Sequence, residues 1–327
     1  MTAREAAIHS PRCRVGILML PGQVPLDLVG PWQVLHCAQR LSSSFEVSYF
    51  GPCESVDWLG PLRLSGMQPL PESLEHLDLL VVPGQYAAAI DPSMQQAAVD
   101  WLRQRGHEPG QVMGICSGTL LLAEAGLLGG HRCTTHHDLV ERLSRLAPAA
   151  RVQRDCIFID DGRVLTSAGI STGIDTMLHW LIRRFGHELS LAVAREMVLY
   201  LRRSGQEPQL GIWLQGRNHV DARIHRLQDR LTEAPQQDWD MPRMAAEVAL
   251  SERHLRRRFQ RLTGMSLPEY LARLRLNMAR RLMQETSLGL ADIAERVGLQ
   301  DDRQLRRVWG RYEQDSPGVW RRRCCQS

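Results

Sequence analysis

MAAEVALSERHLRRRF at 244–259 and ADIAERVGLQDDRQLRRVW at 291–309 are one pattern written twice. Ala246-Glu247 reads against Ala294-Glu295, Val248 against Val297, Leu250 against Leu299, Leu255 against Leu305 and Phe259 against Trp309. The offset is about fifty residues, with one extra residue in the second turn. Each copy predicts a short helix, a tight turn and a second helix. In the first, Ala245, Val248 and Leu250 lead to Leu255, Phe259 and Leu262 at helical spacing; in the second, Ile293, Val297 and Leu299 lead to Leu305, Val308 and Trp309. Ser251 stands where an N-cap belongs, with Glu252 in the turn that follows. Gly298 sits in the second turn, where a positive φ costs little. This is a helix-turn-helix, the unit that lays its second helix in the DNA major groove.

A lone helix-turn-helix pattern is equally the packing corner of an all-α protein. Two in tandem, each with an arginine-rich second helix, narrow the choice. Arg253, Arg256, Arg257, Arg258 and Arg261 crowd the first, and Arg303, Arg306, Arg307 and Arg311 the second. The planar guanidinium donates paired hydrogen bonds to phosphate and to guanine edges. An ordinary solvated helix interleaves its bases with acids, whereas acids here are confined to the helix starts.

With the segments GMSLPEYL at 264–271 and DSPGVWRR at 315–322, the last hundred residues resemble the DNA-binding domain of AraC/XylS-type transcriptional regulators. The second copy departs from that family: Leu305 and Trp309 replace two usual Phe, Gln300 a usual Ser and Gln314 a usual Gly. The resemblance implies that Arg253, Arg256 and Arg257 read bases from the first unit. Arg303, Arg306 and Arg307 would do so from the second, supported by Asp302 and Gln304. Ser251 and nearby backbone amides would contact phosphate.

Charge agrees with a nucleic-acid partner for one end of the chain. The segment 222–327 carries 21 Arg against 14 acids, a net +7, while the other 221 residues carry 19 against 22. The 327 residues suggest two domains, and 43% hydrophobic content is that of a globular chain. Eight cysteines, at 13, 37, 53, 116, 133, 156, 324 and 325, show no C-x-x-C or Cys/His ligand spacing. A chain of this size does not need stapling, so reduced thiols in the cytoplasm are expected and no metal. The first twelve residues lack the apolar core of a signal sequence, and no apolar run is long enough to span a membrane.

Upstream, continuous apolar runs alternate with helical patterns. Strands are predicted at 15–20, 45–50, 77–82 and 111–115, helices at 31–38, 94–103, 117–125, 173–185 and 190–203, and a hairpin around Asp161-Gly162. Alternation of this kind predicts a parallel sheet covered on both faces. Asp27 is expected in the loop after the first strand. GICSGTLLLAEAGLLGG at 114–130 places Cys116 between strand and helix, as in a nucleophile elbow, where a helix N-terminus would lower a thiol pKa.

Together with CTTHHD at 133–138 and VLTSAGISTGIDTMLHWL at 164–181, this elbow makes residues 12–203 resemble the DJ-1/PfpI branch of class I glutamine amidotransferase-like domains. Such a domain joined to an AraC-type module resembles regulators that sense amines and amino-acid derivatives. The resemblance also implies dimerisation through the α/β half and an acid, Asp27, beside the thiol. Hydrolases of the family activate their thiolate, and several carry His directly after the Cys; here Ser117 follows.

The reading is thus a flavodoxin-like α/β parallel-sheet domain plus an all-α DNA-binding domain with two helix-turn-helix units. A tail spans 1–11, the sensing and dimerisation domain 12–205, a linker 206–221 and the DNA-binding domain 222–327. The expected function is a ligand-responsive transcription factor, an activator, acting as a homodimer on double-stranded DNA with RNA polymerase. Strand ends carrying Asp27, Gly84, Cys116 and Ser117 would form the effector site, with Trp32, Trp58 and Tyr86 as an aromatic face and backbone amides after Cys116 as a carboxylate seat. No catalytic residue is expected; Cys116, Asp27 and His136 are the candidates for a vestigial catalytic set. The rival is an enzyme, a Cys116-dependent amidase or hydratase tethered to DNA. A constitutive DNA binder whose first half only dimerises is a third reading.

Overall fold

The computed structural model describes residues 12–42, 45–154, 156–199, 203, 205, 209, 216, 217, 219–313 and 315–325. The expected N-terminal tail, most of the expected linker and Gln314 lie outside them. The chain divides into two compact units, Met1–Gln209 and Leu210–Ser327.

The first unit is built on a seven-stranded sheet. Its strands are β1 (Cys13–Leu18), β2 (Phe45–Gly51), β5 (Gln68–Pro69), β6 (Leu79–Val82), β7 (Gln111–Ile115), β10 (Phe158–Asp161) and β11 (Val164–Ser167), in the order β10-β11-β7-β6-β1-β2-β5. All neighbours run parallel except the β10–β11 hairpin. Strand β6 reads LLVV because both faces are covered. Leu79 and Val81 pack with α1 (Pro25–Ser42), α5 (Thr172–Phe185) and α6 (His187–Glu196). Leu80 and Val82 pack with α2 (Pro92–Arg105), α3 (Gly118–Glu124) and α4 (Val140–Leu146). This is the expected flavodoxin-like architecture.

Several boundaries differ from expectation for identifiable reasons. Helix α1 starts six residues before Pro31, because the Val24 carbonyl accepts the N–H groups of Asp27 and Leu28. Pro31 sits inside the helix, and Asp27 lies in its first turn, not in a loop. The helix expected at 190–203 ends at Glu196. Val198 turns to φ 54°, and Arg203 folds back to bind the Asp175 carboxylate through Nε at 3.0 Å and Nη2 at 2.6 Å. A second hairpin, β3 (Ser55–Leu59) with β4 (Leu62–Ser65), was not expected. Its polar, exposed residues give no continuous apolar run. The remaining two-residue strands, β8 (Arg132–Cys133) and β9 (Arg151–Val152), pair with each other.

The second unit is all helical: α7 (Ala222–Glu233), α8 (Met241–Glu247), α9 (Glu252–Thr263), α10 (Leu267–Glu285), α11 (Leu290–Arg296), α12 (Asp302–Trp309) and α13 (Pro317–Cys325). It holds two cores. Leu255 and Phe259 of α9 pack with α7, α8 and the first half of α10, through Leu267, Tyr270 and Leu274. Leu305 and Trp309 of α12 pack with α11, Trp320 of α13 and the second half of α10, through Leu276, Ala279 and Met283. The long helix is therefore shared by two helix-turn-helix units.

The hydrogen bonds of their turns correct one detail of the repeat. Leu250 N–H donates to the Ala245 carbonyl and Leu299 N–H to the Ala294 carbonyl. Ala245, not Ala246, is therefore the partner of Ala294. The offset is 49 up to Leu299 and 50 from the N-caps onward, so the extra residue, Gln300, lies wholly in the turn. Both turns use a left-handed residue, Ala249 at φ 50° and Gly298 at φ 80°. A Cβ on Gly298 would meet the Gln236 carbonyl oxygen at 2.4 Å. Gly298→Ala is expected to destabilise this unit by more than the roughly 1–2 kcal/mol of left-handed strain alone, whereas Ala249→Gly should be near neutral, relieved strain offsetting about 0.5–1 kcal/mol of chain entropy. Urea denaturation of both variants checks this, and an unchanged midpoint for Gly298→Ala would refute it.

Candidate functional site

Cys116 follows β7 at φ 55°, an uncommon conformation for a residue with a Cβ. The strain is held by its surroundings. The Cys116 N–H donates to the Ser167 carbonyl at 2.9 Å, and the Thr135 hydroxyl donates to the Cys116 carbonyl at 2.7 Å. Glycines let other strand ends close in. A Cβ on Gly169 would sit 2.2 Å from the Cys116 Cβ, and one on Gly84 would sit 2.5 Å from Asp27 Oδ2. The structure thus brings Asp27, Gly84, Cys116 and Ser117 together at the carboxyl ends of β6 and β7, beside the loop after β11. Gly169 and Ile170 belong to the site but were not anticipated; the Ala-Gly-Ile run directly after a strand was the available signal.

Asp27 is completely buried. Its Oδ1 accepts the Ile170 backbone N–H. Its Oδ2 makes no well-aligned hydrogen bond, although the Cys116 thiol and the Gly84 amide face it. Burial raises the Asp27 pKa to about 6. Burial first, and then the neighbouring Asp27 charge, pushes the Cys116 thiol up to about 12. This is the reverse of the expected helix-lowered thiol. The first turn of α3 uses the Thr119 and Leu120 amides on the carbonyls of Cys116 and Ser117, and the Ser117 amide on the thiol. It offers no row of free donors, so the carboxylate seat expected after Cys116 is not formed there. The Ser117 hydroxyl is also engaged, donating to the Gln85 carbonyl at 2.9 Å and accepting the Gln85 N–H at 2.7 Å.

A cavity of about 270 Å³ opens beside Cys116, lined among others by Tyr86, Glu124, His136, Asp138 and Arg142. His136 Nδ1 accepts the Asp138 N–H at 3.4 Å. Burial, and then the adjacent His137, hold the His136 pKa below the usual range. The three aromatics expected on one face divide. Tyr86 lines this cavity, whereas Trp32 and Trp58 line a separate, apolar one with Tyr49 and Met67.

In the second unit, Ser251 caps α9 by accepting the His254 N–H at 3.4 Å, and Asp301 caps α12 by accepting the Gln304 N–H at 2.6 Å. Arg253, Arg256, Arg257, Arg303, Arg306 and Arg307 are all exposed. Gln304 Oε1 accepts the Gln300 N–H at 2.6 Å, which ties half of its amide to the turn. Other arginines serve the fold. Arg258 pairs with Asp221, Arg275 donates to the carbonyls of Pro235 and Gln237, and Arg280 pairs with Glu313.

Comparison with known proteins follows the same division. The DJ-1/PfpI family profile matches residues 14–182, more than half of the sequence. The chain belongs to the DJ-1/PfpI family. A helix-turn-helix domain profile matches residues 244–323 of this DJ-1/PfpI protein. The HTH-type transcriptional regulator GbdR of Pseudomonas aeruginosa is 28% identical over 291 residues, covering 87% of this chain and 77% of GbdR. An isonitrile hydratase of Pseudomonas putida is 32% identical over 173 residues, covering 50% of this chain and 69% of the hydratase. Among solved structures, a ThiJ/PfpI family protein from Pseudomonas syringae shares the fold at a TM-score of 0.50 and 18% identity, over 78% of this chain and 91% of that one. The chain is a DNA-binding transcriptional regulator that joins a DJ-1/PfpI domain to an AraC-type helix-turn-helix module. No helix among the described residues is long and apolar enough to cross a membrane.

Proposed function

We propose that the DJ-1/PfpI unit senses a small metabolite and does not catalyse a reaction. One observation carries this: burial and then the touching Asp27 carboxylate raise the Cys116 thiol pKa, and the His136 that shares its cavity is held toward the neutral form, so it brings no compensating positive charge. A thiolate held ready at neutral pH needs the opposite, an adjacent positive charge. The cavity beside it carries acids, Glu124 and Asp138, an aromatic ring, Tyr86, and one cation, Arg142. That set suits an amine or amino-acid derivative, its ammonium toward the acids and its carboxylate toward Arg142. Asp27, Gly84, Cys116 and Ser117 form the wall against which it rests. The effector acts by binding two arrangements of the regulator unequally.

The regulator works in the cytoplasm as a homodimer on double-stranded DNA and activates transcription through RNA polymerase. Arg253, Arg256 and Arg257 read bases from one unit, and Arg303, Arg306 and Arg307 from the other, with Ser251 and Gln304 at the helix starts. Losing one paired Arg–guanine contact costs about 1–3 kcal/mol at a single base position. Arg257→Ala should therefore lose preference at one position of a site library; a uniform loss across all sequences would reject base reading there.

Similarity to an isonitrile hydratase favours the rival, a Cys116-dependent hydratase or amidase. Cys116→Ser decides between them. Effector-dependent transcription should survive the substitution, and the wild type should turn over neither isonitriles nor amides. Turnover that disappears with Cys116 would establish the enzyme.

A further inference from the structure

The two recognition helices carry arginine at the same places. Arg253, Arg256 and Arg257 of α9 recur fifty positions later as Arg303, Arg306 and Arg307 of α12. The structure makes these positions equivalent and not merely similar in spacing. Each trio begins two residues after a side-chain N-cap, Ser251 or Asp301. Each surrounds a fully buried leucine, Leu255 or Leu305, and is followed by a fully buried aromatic, Phe259 or Trp309. Each aromatic meets a second ring edge-on: Phe259 and Tyr270 at 5.4 Å and 70°, Trp309 and Trp320 at 5.5 Å and 73°. Even the ion pair is repeated, Arg256 with Glu252 at 3.8 Å and Arg306 with Asp302 at 3.3 Å.

With 3.6 residues per turn, burying Leu255 and Phe259 sets Arg253 and Arg257 on the opposite side of α9, with Arg256 about a quarter turn away. The same arithmetic holds for Arg303, Arg307 and Arg306 on α12. A base is read by the donor presented and by where the scaffold holds it. The same donors, at the same positions on the same scaffold, select the same bases. The surrounding positions differ: His254 against Gln304, Gln260 against Gly310, and Arg258, drawn to Asp221, against Val308.

We propose that the DNA segment covered by one chain contains one short guanine-bearing motif twice, with centres about one helical turn, roughly 10–10.5 base pairs, apart. This rests on the reading of α9 and α12 as base-contacting helices and adds that their two subsites are copies of each other. The copies diverge only in flanking bases, where the helices differ.

The test is selection of random duplexes by the full-length protein, followed by affinity measurements with Arg253→Ala and Arg303→Ala. Both side chains are exposed, so neither variant disturbs a core. The expected result is a recovered motif that appears twice one turn apart. Each variant should lose discrimination at the same position of one copy only, weakening binding to the guanine-bearing site by roughly 5- to 150-fold. Two unrelated subsites, or variants that relax different kinds of base, would overturn the proposal while leaving the regulator reading intact. Failure to enrich any sequence would instead sink base reading itself, and this proposal with it.

Discussion

Cys116 is expected to be a slow thiol. With its pKa at about 12 against 9.0 for an ordinary cysteine, about a thousandth as much thiolate is present at pH 8. The more basic thiolate is the better nucleophile, which returns roughly a factor of twenty at a Brønsted slope of about 0.45. Alkylation by iodoacetamide should therefore run at least about fiftyfold slower than that of a free cysteine, before burial impedes the reagent. Only 7% of the residue is exposed. Peptide mapping of the native protein over a time course measures the rate site by site. Labelling of Cys116 as fast as that of free cysteine would mean that an unrecognised cation lowers its pKa, and the sensor reading would yield to the hydratase.

How legible this site was in the sequence depended on which force set each feature. Apolar alternation is local, so β1, β6, β7 and the repeated helix-turn-helix could be read directly. The elbow could be read because a small residue, Cys116 and Ser117-Gly118 recur together at a strand end. The sign of the thiol's pKa shift could not. It depends on Asp27 approaching from α1, on Gly84 leaving room for Asp27 and on Gly169 leaving room for Cys116, a meeting of distant segments. Asp27 itself was misplaced into a loop because Pro31 suggests a helix start, while the actual start is fixed by a backbone carbonyl at Val24. The aromatic set divided for a similar reason. Trp58 belongs to the hairpin of β3 and β4, which lacks a recognisable apolar pattern, and that hairpin carries it to a different cavity from Tyr86. In the second unit every arginine looked available. Only the fold distinguishes Arg258, Arg275 and Arg280, which hold the unit together, from the six that recur at equivalent exposed positions.

Asp27 should also make the first unit's stability depend on pH in an unusual direction. Its carboxyl titrates near 6 when folded against 3.8 as a free side chain. Below about pH 3 the group is protonated in both states, and the folded state keeps its full stability. As pH rises through 6, the folded state must carry a buried charge that the unfolded chain places in water. The difference of about two pK units corresponds to about 3 kcal/mol lost between pH 3 and pH 7. Some other carboxylates act in the opposite sense, as Asp160 and Asp161 do, because partners hold their pKa values down. A wild-type curve alone would therefore mix the two effects. Asp27→Asn separates them. Its Oδ1 can still accept the Ile170 N–H, while the titration disappears. The stability of the wild type relative to Asp27→Asn should fall by about 3 kcal/mol across this window, about 6–12 °C in Tm for a domain of this size, and the Cys116 thiol, protonated throughout, should not contribute. Parallel curves for the two proteins from pH 3 to pH 7 would show that Asp27 is not desolvated. They would remove the reason for treating the Cys116 thiol as inert.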